Sequence, residues 1–444
     1  MTEIKDNEFE QAEVVSEEFL RKVDKESDYR VLTGFFAKLI AAIAITFSVF
    51  QVYTAAFGTL DAMLQRAVHL AFALCLIFLL YPARVSWPRD KIHPIDVVFA
   101  ILGAAAPLYI VVFYKQLVMR AGLVTTTDYI VGIIAIILIL EAVRRVVGIP
   151  MVCVAILFLV YALYGRQLPG VLAHRGADLP TLVQHLFYTT EGIFGIPLGV
   201  SSTFIFLFIL FGAFLEKTGL GQLFIDLSNA VAGWAAGGPA KVAVIASALE
   251  GTVSGSSVAN TAGSGSFTIP MMKKLGYEPE FAGAVEATAS TGGQLMPPIM
   301  GAAAFLMAEF IGMPYFRIVT AAIIPSLLYY FGVWTQVHFE AKRLGLKGMS
   351  RDELPKIGDV LREKGHLLVP LLALIYLLAK GYTPMRAALV AIVLTVGCAM
   401  LRKNTRISLL DIIEGLENGA RGALGVVAAT ACAGIIVGVV TLTG

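Results

Sequence analysis

The sequence predicts an all-α, polytopic membrane protein, and three observations carry that prediction. Hydrophobic residues make up 57% of the 444 and charged residues only 15%, whereas soluble domains carry about 25% charged residues. Apolar runs recur from Phe35 onward, several of them near the ~20 residues that a helix needs to cross a bilayer. Between Lys241 and Ile311, two such segments are interrupted in their middle by Gly, Ser, Thr, Asn and Pro.

Composition also excludes. A net charge of +2 gives no basis for a nucleic-acid partner. Cys75, Cys153, Cys398 and Cys432 are scattered through apolar runs without CxxC or Cys/His metal spacing, and read as small hydrophobes. No HExxH, P-loop or Gly-x-Ser-x-Gly motif anchors enzyme chemistry.

Residues 1–33 read as a cytoplasmic tail, too polar for a signal peptide or a span. Residues 34–148 read as a four-helix membrane unit, with spans near Phe35–Tyr53, Leu60–Tyr81, Ile95–Tyr114 and Tyr129–Val147. Lys22, Lys25 and Arg30 precede the first span, Arg84, Arg89 and Lys91 follow the second, and Arg144 and Arg145 end the fourth. The positive-inside rule then puts both ends of the unit, and the N-terminus, in the cytoplasm. Glu141, one turn before the two arginines, reads as an interfacial ion pair.

Residues 149–234 read as connector, scaffold span and interfacial arms. They hold the apolar helix Ile149–Tyr164, an arm on the bilayer surface built from Leu179, Leu182, Val183 and Leu186, and the span Ile196–Leu215. Leu220–Trp234 reads as an interfacial helix, with Leu220, Leu223, Phe224, Leu227, Ala230, Val231 and Trp234 in one stripe. His174 and His185 read as solvated surface residues.

Residues 313–406 read as scaffold spans at Tyr315–Phe339, around Leu367–Leu378 and at Arg386–Leu401. A basic loop lies among them, with Lys342, Arg343, Lys347, Arg351, Lys356, Arg362 and Lys364. Glu340, Asp352, Glu353, Asp359 and Glu363 interleave, so membrane orientation explains it better than nucleic acid. Residues 407–444 read as an amphipathic arm (Leu409, Ile412, Ile413, Leu416) followed by an apolar helix from Ala423. That order weakly repeats Leu179–Leu220.

Residues 235–312 carry the chemistry. Lys241 to Val253 makes only about 20 Å of helix, against a hydrocarbon core of about 30 Å. A helix that stops halfway leaves N–H and C=O groups that lipid cannot satisfy, so the break must be buried in protein or line a polar cavity. Lys241–Lys274 is therefore expected to be a re-entrant hairpin with its tip near Ser254–Ser257, and Pro279–Ile311 a span unwound at Gly292–Pro298. Small residues also serve plain helix packing, but two successive breaks and a double proline favour a binding site. Freed carbonyls and hydroxyls suit a small hard cation such as sodium, and a half-helix N-terminus suits a carboxylate. No Asp or Glu lies between Thr252 and Leu275, so a cation would be held there by neutral oxygens.

The stretches EGTVSGSSVANTAGSGSFTIPMMKKLGY, PEFAGAVEATASTGGQLMPPIMGAAAFLMAEF, GGPAKVAVIASALEG and RRVVGIPMVCVAILFLVYALYG resemble the membrane subunit of tripartite ATP-independent periplasmic (TRAP) transporters. The form resembled is the fused one, with the small four-helix and large subunits in one chain. The resemblance covers residues 30–444. It implies a scaffold and an elevator-type transport domain, with sodium-coupled import of an organic acid anion of the carboxylate or dicarboxylate class across a bacterial or archaeal inner membrane. It also implies a periplasmic substrate-binding protein, with the TAXI class often paired with fused permeases.

Carried over residue by residue, the resemblance gives Ser254, Ser257 and Asn260 as sodium ligands, with the backbone carbonyls of Gly292, Leu295 and Pro297. Gly255, Ser256, Thr261 and Gln294 become the polar lining near the substrate. Sodium is the coupling ion, and no further cofactor is implied. The family's second inverted repeat, with its own hairpin, has no counterpart in these 444 residues, so the expectation is a C-terminally incomplete permease. The alternative is a non-transporting scaffold, or a half-transporter that needs a second chain. A passive channel would need a charged ring. Glu250, Glu286 and Glu309 are scattered instead, and only Glu286 lies deep in a broken span.

Overall fold

Seven helices among the described residues are long and apolar enough to cross a membrane. The computed structural model describes residues 25, 28–84, 86–120, 122–350, 352 and 354–444. Most of the expected tail, including Lys22, and two residues of the expected basic loop, Arg351 and Glu353, lie outside the described residues. The fold is all-helical among them, as the composition predicts, and it divides into two compact units.

The first unit comprises the described residues up to Leu207 and Leu416–Gly444. Its helices α1 (Gly34–Phe57), α2 (Ala62–Leu80), α3 (Pro94–Val112) and α5 (Thr126–Val146) fall on the four expected spans, with a short α4 (Tyr114–Met119) between the last two. Their starts are chemically marked. The Asp61 carboxylate accepts from the N–H of Met63 at 3.1 Å ahead of α2, and Thr125 and Asp128 form a reciprocal capping box for α5.

Glu141 accepts from Arg144 at 2.7 Å and from Arg145 at 2.8 Å, as its spacing predicts. The pair is part of a larger buried network. Arg145 also donates to Asp96 at 2.7 Å, and Arg30 donates to the other Asp96 oxygen at 2.5 Å.

The helix α6 (Ile149–Tyr164) is followed by α7 (Leu179–Tyr188). The expected arm does form, but Leu182, Val183, Leu186 and Phe187 are buried against α5 rather than facing lipid. Gly132 of α5 admits Val183 closely; a Cβ there would lie 2.5 Å from it. The histidines also differ from expectation. The His174 ring lies 2.9 Å from the Tyr161 carbonyl, and the largely buried His185 ring lies 3.1 Å from the Thr441 hydroxyl.

The next span, α8 (Ile196–Lys217), contains a π-turn at Ser201–Ile205. Buried polar side chains gather there. Gln65 donates to Thr54 at 3.2 Å and to the Ser202 carbonyl at 3.2 Å, while His69 pairs with Gln51 and, at 3.1 Å, with Ser201.

The second unit is Phe208–Gly415. It contains α9 (Leu220–Ala232), α10 (Gly238–Ser254), α11 (Ser257–Leu275), α12 (Pro279–Thr291), α13 (Ala302–Ile311) and α14 (Tyr315–Arg343). After these come a short α15 (Ile357–Lys364) inside the basic loop, then α16 (Val369–Ala379) and α17 (Pro384–Ala399). The stripe expected on α9 is rotated: Val231 and Trp234 are exposed, and Ser228 and Ala232 are buried instead. The reason is that α9 packs on α10, while its Asp226 meets Lys364 of α15 at 3.0 Å.

The last helix, α18 (Leu409–Thr443), is continuous over 35 residues, where the sequence suggests an arm and then a separate apolar helix. Its glycines serve close packing rather than a break: Gly434 lies on the backbone of Gly192 and Ile193, and Gly438 on Gly192. The parallel with Leu179–Leu220, where Thr189–Gly195 does interrupt the helices, therefore fails in structure.

Candidate functional site

The hairpin forms where the sequence places it. α10 ends at Ser254, α11 begins at Ser257, and the tip is Gly255-Ser256. Gly255 has φ of +60°, a conformation that L side chains rarely adopt. A Cβ there would also lie 2.1 Å from the Met300 carbonyl oxygen. Ser256 caps α11, its hydroxyl accepting from the N–H of Ala259 at 3.3 Å.

The second break is longer than expected. α12 ends at Thr291, a single tight turn covers Gly292–Gln294, and regular helix resumes only at Ala302. Met300 has φ of +60°, unusual for a residue other than glycine.

The two breaks meet. Gln294 donates to the Ser257 hydroxyl at 3.1 Å. The hairpin tip rests on Met300. Behind the tip, Gly251 of α10 packs directly on Gly293: a Cβ on Gly251 would lie 2.3 Å from the Gly293 Cα. Glycine at both positions is what lets the hairpin backbone touch the unwound turn.

Asn260 sits at this junction. It is 2% exposed, its side-chain N–H donates to the Ser247 carbonyl at 2.9 Å, and its side-chain oxygen is buried without a hydrogen-bond partner. A buried acceptor with no donor carries a desolvation cost that a cation would offset. Among the described residues no cluster of three or more His, Cys, Asp and Glu is placed to hold a metal ion. Neutral oxygens of this kind suit a weakly held monovalent cation better than a transition metal.

The other expected site residues divide. Ser257, Gly255, Gln294 and Asn260 are brought together, and Gly292 lies buried in the same turn. Ser254 faces the Ser256 carbonyl at the 3.5 Å limit. Thr261 donates to the Ser257 carbonyl at 2.8 Å, along its own helix. Leu295 is 44% exposed, and among the described residues no hydrogen bond ties it or Pro297 to the hairpin.

Several residues were not legible as part of the site. Tyr329 and Tyr330 of α14 donate to the carbonyls of Thr288 and Ala289 at 2.8 and 3.1 Å, capping the end of α12. The Tyr315 hydroxyl lies 2.9 and 2.5 Å from the carbonyls of Pro298 and Ile299. These tyrosines supply the partners that the break removes, yet in sequence they are ordinary members of a long apolar helix.

Glu286 of α12 is fully buried, and four hydroxyls surround it. Ser247 and Ser290 donate to it at 3.2 Å each, and Ser264 and Thr268 donate at shorter range. Spacings of four residues, Asn260-Ser264-Thr268 and Glu286-Ser290, are the signal that could have found this cluster. Just outside the spans, Tyr277 links α11 to α12, and burial pushes its hydroxyl up to about 12, so it stays neutral.

A helical multi-pass membrane protein with two interrupted helices whose breaks meet has the architecture of a secondary transporter. The comparisons narrow the class. The family model described as "Tripartite ATP-independent periplasmic transporter, DctM component" matches residues 133–444. The chain belongs to that family, a class of transporter components rather than enzymes.

It is 30% identical over 187 residues to the C4-dicarboxylate TRAP transporter large permease protein DctM of Pseudomonas aeruginosa, covering 42% of this chain and 43% of that protein. It is 29% identical over 215 residues to the isethionate TRAP transporter permease protein DctMQ of Oleidesulfovibrio alaskensis, covering 46% and 33%. It is 26% identical over 212 residues to the uncharacterized protein YgiK of Salmonella typhimurium, covering 46% and 48%. The chain thus spans less than half the length of these curated relatives.

Proposed function

We propose that this chain is the membrane component of a sodium-coupled importer of an organic acid anion, set in a bacterial or archaeal inner membrane with its N-terminus cytoplasmic. Residues 34–148 serve as a fused small-subunit-like unit. The hairpin-bearing region moves against the scaffold in an elevator cycle, and a periplasmic binding protein, of the TAXI class in this reading, delivers the substrate. The observation that carries the proposal is the meeting of the two breaks, Gln294 on Ser257 at 3.1 Å and Gly255 against Met300.

In this reading the buried Asn260 oxygen and the hydroxyls of Ser254 and Ser257 hold the sodium ion, with carbonyls of Gly292, Leu295 and Pro297. Gly255, Ser256, Thr261 and Gln294 border the substrate. The N-terminus of α11 then offers its free N–H groups and its dipole to an anion. Neighbouring cation and anion sites give the coupling, because each bound charge favours the other. The relatives' printed substrates, C4-dicarboxylate and isethionate, are both organic anions, which supports the class without choosing a member.

The test is uptake into vesicles by the native permease with its binding protein, across a range of sodium concentrations and with a C4-dicarboxylate as the first probe. Ser257→Ala combined with Asn260→Ala should raise the half-saturating sodium concentration about tenfold, the size of effect expected from losing about 1.4 kcal/mol of cation binding. An unchanged sodium response would rule out the assignment.

A further inference from the structure

We infer that Glu286 is the electrostatic counterweight of the cation site: a buried carboxylate that sets the affinity for sodium through the hydroxyls between them, without touching the ion. The inference rests on the sodium reading above and deepens it.

The hairpin itself has no acid between Thr252 and Leu275, so sequence alone predicts a site of neutral oxygens. The structure brings a charge to it from the next helix. Glu286 is fully buried, and both of its oxygens accept hydrogen bonds: Ser247, Ser264 and Ser290 donate to one, and Thr268 to the other. An ionised carboxylate is an acceptor only, with room for about four hydrogen bonds. Four converging hydroxyls can donate to it and offset part of the cost of burying its charge.

Among the described residues, no Lys, Arg or His makes an ion pair with Glu286. Glu250, on the hairpin, is a second acid within electrostatic reach of Glu286, and Ser264 hydrogen-bonds it. Among the described residues the carboxylate is thus met by hydroxyl dipoles and by no basic side chain.

Two short routes join this carboxylate to Asn260. The Ser264 hydroxyl that donates to Glu286 lies 2.8 Å from the Asn260 carbonyl. Ser247 donates to Glu286, and its own carbonyl accepts from the Asn260 side chain. The Ser247 route holds the Asn260 amide with its unpartnered oxygen left free for an ion, while the Ser264 route reaches the Asn260 main-chain carbonyl. A hydroxyl and one further hydrogen bond separate the charge from Asn260, about 6 Å at ordinary hydrogen-bond lengths. At that distance a buried unit charge changes cation affinity by tenfold or more.

Glu286 is thus a positioning residue, and its test separates charge from structure. Thermal unfolding midpoints of the purified chain would be recorded across sodium chloride concentrations, with choline chloride holding ionic strength constant, for the unmodified chain, Glu286→Gln and Glu286→Asp. Glutamine keeps the size and the acceptor but not the charge. The expected result is a sodium-specific rise in midpoint for the unmodified chain. For Glu286→Gln, the half-saturating sodium concentration should rise at least about tenfold with little change in choline alone, and Glu286→Asp should partly restore it.

A sodium response in the unmodified chain that persists unchanged in Glu286→Gln would overturn this inference and leave the sodium site standing. No sodium-specific response in the unmodified chain would overturn both. If Glu286→Gln does not fold, Ser264→Ala decides: it keeps the charge and removes the bridging hydroxyl. A several-fold loss of sodium affinity supports the proposal, and an unchanged affinity overturns it.

Discussion

Two buried acids sit in very different company. Asp96, in the first unit, accepts from two arginines, Arg30 at 2.5 Å and Arg145 at 2.7 Å, and Arg145 also holds Glu141. Glu286, in the second unit, accepts among the described residues only from serine and threonine hydroxyls. Both carboxylates are fully buried and both are hydrogen-bonded at each oxygen. Among the described residues, only Asp96 of the two has basic partners. The difference teaches what each is for. A neutralised network is a clamp, since removing one partner strands the others. A carboxylate met by hydroxyls alone has no such clamp, and in the proposal above its charge is answered by the incoming cation.

Asparagine at position 96 gives the largest expected effect. Asp96→Asn keeps the shape but leaves the buried Arg30 without its carboxylate and Arg145 with Glu141 alone, and should cost about 3–5 kcal/mol, read as a large fall in the unfolding midpoint and in folded yield. A midpoint within a few degrees of the parent would show that the network is not a clamp.

Gly251→Ala should cost less, about 1–3 kcal/mol, because its methyl meets the Gly293 backbone and pushes the two breaks apart. Its signature is local, with faster hydrogen exchange at residues 250–260 and 292–301 and little change in the first unit. The smallest stability effect belongs to Glu286→Gln without sodium, about 1 kcal/mol or less, because the amide oxygen still accepts from the surrounding hydroxyls. Finding the costs at positions 96 and 286 equal would erase the contrast.

How much of this was legible in the sequence follows from what each signal reports. The hairpin and its tip were readable because Ser254-Gly255-Ser256-Ser257 cannot continue a helix through lipid, and the structure turns at Gly255-Ser256. The second break was located, but its length was not. Nothing in Ile299-Met300-Gly301 announces that helix resumes only at Ala302.

Amphipathic spacing identified the helix Leu179–Tyr188 but not the surface that covers it, since an apolar face packs equally well on lipid or on α5. Glycine spacing misled at residues 415–438, because a glycine that admits a neighbour and a glycine that ends a helix look alike in one dimension. The ring of hydroxyls around Glu286 was hidden for another reason. Ser247, Ser264, Thr268 and Ser290 lie on three different helices, and it takes the turns at Gly255 and at Gly276 to bring them to one carboxylate. The arginines around Asp96 are likewise 66 and 49 residues away in the chain, beyond any local pattern.

The central claim is that the two breaks form one sodium site. Hydrogen–deuterium exchange of the purified chain, in sodium against choline at equal ionic strength, tests it directly. Exchange should be slower in sodium at residues 254–261 and at 292–301 together, with Asn260→Ala abolishing the effect at both. Slowing at one break only, slowing that survives Asn260→Ala, or no difference between the two salts would contradict it.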